Sequence, residues 1–124
     1  MARTPSAALT DGEARVMAVL WQKPHATVAE VVASLLDRYA LTYSTVQTML
    51  RILEQKGYVT HDKVGRAFVF RAVVDQGQAR RRALRHLISR LFNGSPTLLV
   101  SNVLDDEEID PREIEQLKRL ISGG

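Results

Sequence analysis

Three stretches of the chain share one pattern: Thr10–Glu13 (TDGE), Thr27–Glu30 (TVAE) and Ser44–Gln47 (STVQ) each set a hydroxyl three residues before an acid or amide. In such a box the hydroxyl accepts the backbone N–H of the third helical residue. The longer side chain reaches back to the N–H of the capping residue. The starts are evenly spaced along the chain, which leaves room for helices of roughly ten residues and short connections. The spacing predicts a first helix over Asp11–Gln22, stopped by Lys23-Pro24, since proline donates no backbone hydrogen bond and disfavours helix at the residue before it. A second is expected over Val28–Arg38, with Val28, Val31, Val32 and Leu35 as its apolar stripe. A third is expected after Ser44, with Val46, Met49, Leu50 and Leu53 on one face and Gly57 at its left-handed end.

The period then changes. Tyr58–Ala72 alternates, with Phe68 and Phe70 on one side and Ala67, Val69 and Arg71 on the other, as a half-buried strand does. Asp62–Arg66 (DKVGR) supplies the turn, with Gly65 free to take positive φ. Lys63 and Arg66 mark the hairpin tip, and Trp21 and Phe68 are expected in the core. Three helices followed by a two-stranded hairpin form a winged helix-turn-helix. In that arrangement the third helix enters the major groove and a basic wing lies along phosphates.

The remainder is helical again. Residues 75–94 carry Leu84, Leu87, Ile88 and Leu91 on one face and end at Asn93-Gly94. Ser95-Pro96 opens a helix containing Leu99. Asp110-Pro111 opens another, with Glu113 expected to complete a box and Ile114, Leu117 and Ile121 as its stripe. Three short helices cannot enclose these stripes alone, and burying each Leu or Ile contributes about 1.5–3 kcal/mol. The expected cover is a second copy of the chain. The expected class is therefore mainly α with a small β-hairpin: a winged helix-turn-helix domain, residues 1–72, followed by a helical dimerisation domain, residues 73–124.

Charge and motifs narrow the function. Residues 1–72 carry nine Lys/Arg against six Asp/Glu, residues 73–94 five against one, and residues 95–124 three against seven. A basic front and an acidic tail point to an anionic partner for the first part. On the third helix Ser44, Thr45, Gln47, Thr48 and Arg51, with Tyr43 before them, are hydroxyls, an amide and a guanidinium in place of a solvated Glu/Lys mixture. Such groups hydrogen-bond to base edges and phosphates, with arginine suited to guanine and glutamine to adenine. Arg80, Arg81, Arg82 and Arg85 can meet flanking phosphates or the partner's acidic run Asp105–Glu108; the second is favoured. No nucleophile–base pair, phosphate-binding glycine loop or Gly-x-Ser-x-Gly is present, so an enzyme is not expected. His25, His61 and His86 are widely spaced, and the chain has no Cys, which excludes disulfides and thiolate metal sites. No metal or cofactor is expected. With no apolar run near the ~20 residues a span needs and no leader-like start, the expected location is cytoplasmic, away from membranes.

From about Leu9 to Ile121 the order of motifs resembles the BlaI/MecI-type penicillinase-repressor family. The stretches that carry the resemblance are Leu9–Trp21 (LTDGEARVMAVLW), Thr27–Val32 (TVAEVV), Tyr43–Val59 (YSTVQTMLRILEQKGYV), Gly65–Ala72 (GRAFVFRA), Leu91–Leu104 (LFNGSPTLLVSNVL) and Glu107–Ile121 (EEIDPREIEQLKRLI). The resemblance implies a homodimer that binds a palindromic operator and represses a resistance or stress operon, often one encoding a membrane sensor-protease. It further implies release by proteolysis at an Asn-Phe bond. The matching pair here is Asn102-Val103, a candidate cleavage site with valine in place of phenylalanine. Copper-responsive relatives carry a C-terminal Cys cluster that this chain lacks. Where many members have arginine on the third helix, this chain has Ile52, preceded by Arg51. Two other readings fit the same elements: a winged helix used for protein–protein contact, and a regulator holding a small molecule between wing and tail.

Overall fold

The computed structural model describes residues 8–36 and 38–123. Its elements run α1 (Asp11–Gln22), β1 (Ala26–Thr27), α2 (Val28–Leu35), α3 (Tyr43–Gln55), β2 (Val59–Val64), β3 (Ala67–Ala72), α4 (Gln76–Leu91), α5 (Pro96–Leu104) and α6 (Pro111–Ile121). The chain divides into two compact units between Ala83 and Leu84.

In the first unit the apolar stripes of α1, α2 and α3 meet. Val16, Met17, Val31, Val46, Leu50, Leu53 and Tyr58 are fully buried, with Leu20, Val28 and Leu35 nearly so. The first two boxes form with both bonds. The Thr10 hydroxyl accepts the Glu13 N–H at 3.1 Å and Glu13 accepts the Thr10 N–H at 2.9 Å. Thr27 and Glu30 repeat this at 3.2 and 2.9 Å. The third box does not form. Thr42 caps α3 in place of Ser44, its hydroxyl accepting the Thr45 N–H at 3.2 Å. Thr42 is extended (φ −83°, ψ 161°), which is the cap conformation, so Tyr43 and Ser44 are already helical. Helix α2 ends at Leu35, short of the expected Arg38, because its last turn tightens: the Leu35 carbonyl accepts from both Arg38 and Tyr39. Tyr39 packs against the core, with the Arg15 guanidinium 4.0 Å over its ring.

The sheet has three antiparallel strands in the order β1-β3-β2. The two-residue β1 pairs Ala26 with Phe70 and Thr27 with Val69, tying the entry of α2 to the hairpin. Phe70 is 7% exposed, but Phe68 is 46% exposed and is not in the core. The two share a face of β3, and the hairpin projects beyond the helices, so the residue one pleat nearer the tip leaves the core. Trp21 is half-buried at its edge and donates its indole N–H to the Val74 carbonyl at 2.9 Å.

The first unit outlasts its sheet. Val73 and Val74 donate to the Tyr58 carbonyl, and Val74 and Ala79 are buried. Its boundary therefore lies beyond the Ala72 expected from the strand pattern. Asp75 and Gln78 form a further reciprocal box at the start of α4, with bonds of 2.8 and 3.1 Å.

In the second unit Asn93 (φ 50°) and Gly94 (φ 74°) end α4, with the Gly94 N–H on the Ile88 carbonyl. Ser95 caps α5 through the Leu98 N–H at 3.0 Å. Asp110 caps α6 through Arg112, whose N–H it accepts at 2.9 Å, one residue before the Glu113 position expected for a box.

Candidate nucleic-acid interface

The α3 backbone sorts its side chains by angle. Val46, Leu50 and Leu53 turn into the core. Ser44, Thr48, Arg51 and Gln55, each one turn after the last, form an exposed ridge on the far side. Ile52 and Thr45 lie exposed along one edge of it. Tyr43, Gln47, Arg51 and Glu54 form the other edge, toward the hairpin, and Tyr43 is 53% exposed. Of the expected reading residues only Gln47 is half-buried; Tyr43, Ser44, Thr45, Thr48 and Arg51 are open to solvent. Ser44 and Thr45 are also engaged at the cap, with hydroxyls 3.4 and 2.9 Å from the Thr42 Oγ1.

The wing is held against this helix by a pair that sequence reasoning missed. The His61 Nδ1 lies 3.0 and 2.8 Å from the two Glu54 carboxylate oxygens, joining β2 to α3. The His61 ring meets Phe68 edge-on at 5.0 Å and Phe70 at 5.2 Å. The signal was faint: an acid and a histidine seven residues apart, brought together only by the reversal at Gly57, whose φ is +84°. Between α3, the start of α2 and the hairpin lies a cleft of about 530 Å³, lined by Tyr43, Gln47, Arg51, Arg66 and Phe68 among others. Ser44, Thr45, Thr48 and Lys63 stand outside it.

At the tip, Gly65 has φ +62°, and Arg66 follows it before β3 begins. Asn93 alone among the described non-glycine residues has positive φ, so the two-residue turn has the glycine-first form favoured in hairpins. Lys63 and Arg66 are exposed, and Arg71 reaches Asp62 across the strands at 3.5 Å. The face thus combines two guanidiniums and an ammonium with hydroxyls and amides, while Glu54, the acid lining the cleft, is engaged by His61. Such a set can follow a phosphate chain and hydrogen-bond to base edges.

Within the second unit no described residue is buried. Leu84, Leu87, Leu91 and Ile121 are exposed, Leu91 by 68%, and Ile88, Leu99, Ile114 and Leu117 are half-buried. Leu98 and Leu120, which the stripes did not single out, are exposed as well. Asn102 and Val103 lie inside α5, where the Asn102 amide donates to the Leu98 carbonyl at 2.8 Å. The Arg82 guanidinium lies 5.5 Å over the Tyr58 ring. No described helix is long and apolar enough to cross a membrane.

Residues 9–123 match the family described as penicillinase repressor. The chain is 29% identical over 113 residues to the penicillinase repressor of Bacillus licheniformis, covering 91% of this chain and 88% of that protein. It is 21% identical over 114 residues to the methicillin resistance regulatory protein MecI of Mammaliicoccus sciuri, covering 92% and 93%. Among solved structures it is similar to the DNA binding domain of the repressor BlaI (TM-score 0.54, 32% identity, 61% of this chain and 93% of that one). It is also similar to monomeric Bacillus licheniformis BlaI in complex with the blaP half-operator (TM-score 0.50, 33% identity, 63% and 93%).

Proposed function

The chain belongs to the penicillinase-repressor family, and from that premise we propose that it is a dimeric, sequence-specific DNA-binding transcriptional repressor. The winged first unit holds the DNA, and the second unit joins two copies across a palindromic operator. One observation carries the reading: α3 carries an exposed ridge of hydroxyl, amide and guanidinium groups, and its Arg51 shares a cleft with Arg66 of the basic hairpin tip. In this reading Ser44, Thr48 and Arg51 meet base edges in the major groove, Gln47 and Tyr43 approach the backbone beside it, and Lys63 and Arg66 lie on phosphates. The open stripes Leu84, Leu87, Ile88 and Leu91 of α4, with Leu99 of α5 and Ile114, Leu117 and Ile121 of α6, are covered by the second copy.

Relief by proteolysis belongs to the same reading, through a sensor-linked protease acting in the cytoplasm. The Asn102-Val103 bond lies inside α5, so cleavage there requires that helix to open locally first.

The test is a footprint of the full chain on the DNA upstream of its own gene, at two salt concentrations. The expected result is a two-fold symmetric protected site that weakens as salt rises, since each neutralised phosphate releases counterions. Gln47→Ala with Arg51→Ala should abolish that protection while folding and association persist. Undiminished protection by this variant would remove α3 as the reading element.

A further inference from the structure

Ile52 is 36% exposed on α3, beside the reading ridge. Its helical neighbours Thr48 and Gln55 and its sequence neighbour Arg51 are polar and exposed, while Met49 and Lys56, also one turn away, are half-buried. Single exposed apolar side chains are common and by themselves mean little. This one differs in its setting. A β-branched residue lowers helix propensity; part of this side chain stays open to solvent, and the exposed groups beside it can hydrogen-bond. The open part of the isoleucine gains nothing from water, but it gains an apolar partner where the ridge meets the major groove. The thymine 5-methyl is the apolar feature among the base-edge groups of that groove, and it is met by apolar side chains.

We infer that Ile52 reads the 5-methyl group of one thymine in each operator half-site, beside a polar contact from Arg51. The inference rests on α3 entering the major groove, as proposed above. The isoleucine covers the methyl and excludes water from it, so the preference is for thymine over cytosine or uracil at one position, with no hydrogen bond involved. Thr48, one turn earlier, also carries a methyl and is the competing reader.

The experiment begins with selection from a random-sequence duplex library by the full chain. Each thymine of the recovered site is then replaced in turn by deoxyuridine, which removes the methyl and nothing else. One symmetry-related thymine should emerge whose replacement weakens wild-type binding about fourfold per half-site, the worth of one buried methyl. Ile52→Ala should bind the thymine and deoxyuridine duplexes equally, and Ile52→Arg should move the selected base at that position toward guanine. Wild-type indifference to every replacement overturns the inference. So does full methyl sensitivity retained in Ile52→Ala, which would assign the contact to Thr48 or another group. Failure to select any sequence refutes the repressor reading itself and is distinct from both results, because a selected site without methyl sensitivity leaves that reading standing.

Discussion

Lys56→Met tests how α3 is anchored. The Lys56 ammonium lies 2.6 Å from the Glu13 carboxylate and also donates to the Ala8 carbonyl at 3.2 Å. The side chains are 17% and 5% exposed, so the pair is largely removed from water. It joins the first turn of α1 to the end of α3. Removing one partner of a buried pair commonly costs about 3–5 kcal/mol, because the other charge is left desolvated. Two features reduce that here. Glu13 keeps its bond from the Thr10 N–H, and the lysine end of the site admits some water. Lys56→Met, which preserves the stem volume, should therefore cost about 2–3 kcal/mol. Adding Glu13→Gln removes the stranded charge while the amide still completes the Thr10 box, and should return the double variant to within about 1 kcal/mol of wild type. Urea unfolding followed by Trp21 fluorescence measures both, at one fixed protein concentration because subunit association shifts midpoints. A cost below about 0.5 kcal/mol for Lys56→Met would mean that water screens the pair as it does a surface bridge, and the reasoning fails. It fails equally if Glu13→Gln makes the Lys56→Met variant worse.

Other consequences follow from the caps, the turn and the open stripes. Thr42→Ala should cost about 1 kcal/mol of stability and Ser44→Ala less than about 0.5, which thermal melts can rank; the reverse order would restore Ser44 as the cap. Gly65→Ala should cost about 1–2 kcal/mol through positive φ alone, since a Cβ there meets nothing within 4 Å, and denaturant curves report it. The Thr27 backbone N–H, then Lys23, hold the Glu30 carboxyl below its ordinary 4.5. Its folded value is depressed, so its contribution is present above 4.5 and is lost as pH falls through the folded value. A carboxyl NMR titration should place its midpoint below 4.5, and Lys23→Ala should raise it part way; a wild-type midpoint at 4.5 would contradict the cap geometry. Sedimentation equilibrium at micromolar concentration should give twice the 13.9 kDa chain mass, and a monomer would leave the second unit's stripes without cover.

What was legible in the sequence was periodic or local. Val28, Val31 and Leu35 and the stripe of Val46, Leu50 and Leu53 are buried because a 3.6-residue period determines which side chains share a face. Gly65 takes the positive φ its place between Val64 and Arg66 called for. Capping was misread where several hydroxyls compete. Thr42, Ser44 and Thr45 crowd the start of α3, and the extended residue among them is Thr42, next to Leu41, which packs on the core. The box at Asp75 and Gln78 follows the same local rule with an acid in place of a hydroxyl.

The misplaced residues have one cause in common. Alternation along β3 correctly puts Phe68 and Phe70 on the same face, but it carries no information about how far that face extends over the helices. The hairpin outruns its floor, so Phe70 closes the core while Phe68 stands over the cleft with His61. The two-residue β1 is too short to alternate at all, yet it joins the entry of α2 to β3. The Glu54–His61 pair likewise exists only after α3 and β2 fold back on each other. These contacts hold the hairpin and α3 together. The groups proposed to touch a nucleic acid were chosen by residue type and spacing, whereas the groups that set the spacing between helix and wing depend on tertiary packing. Replacing Glu54 or His61 should therefore disturb the fit of both elements to one DNA duplex while leaving every proposed contact residue in place.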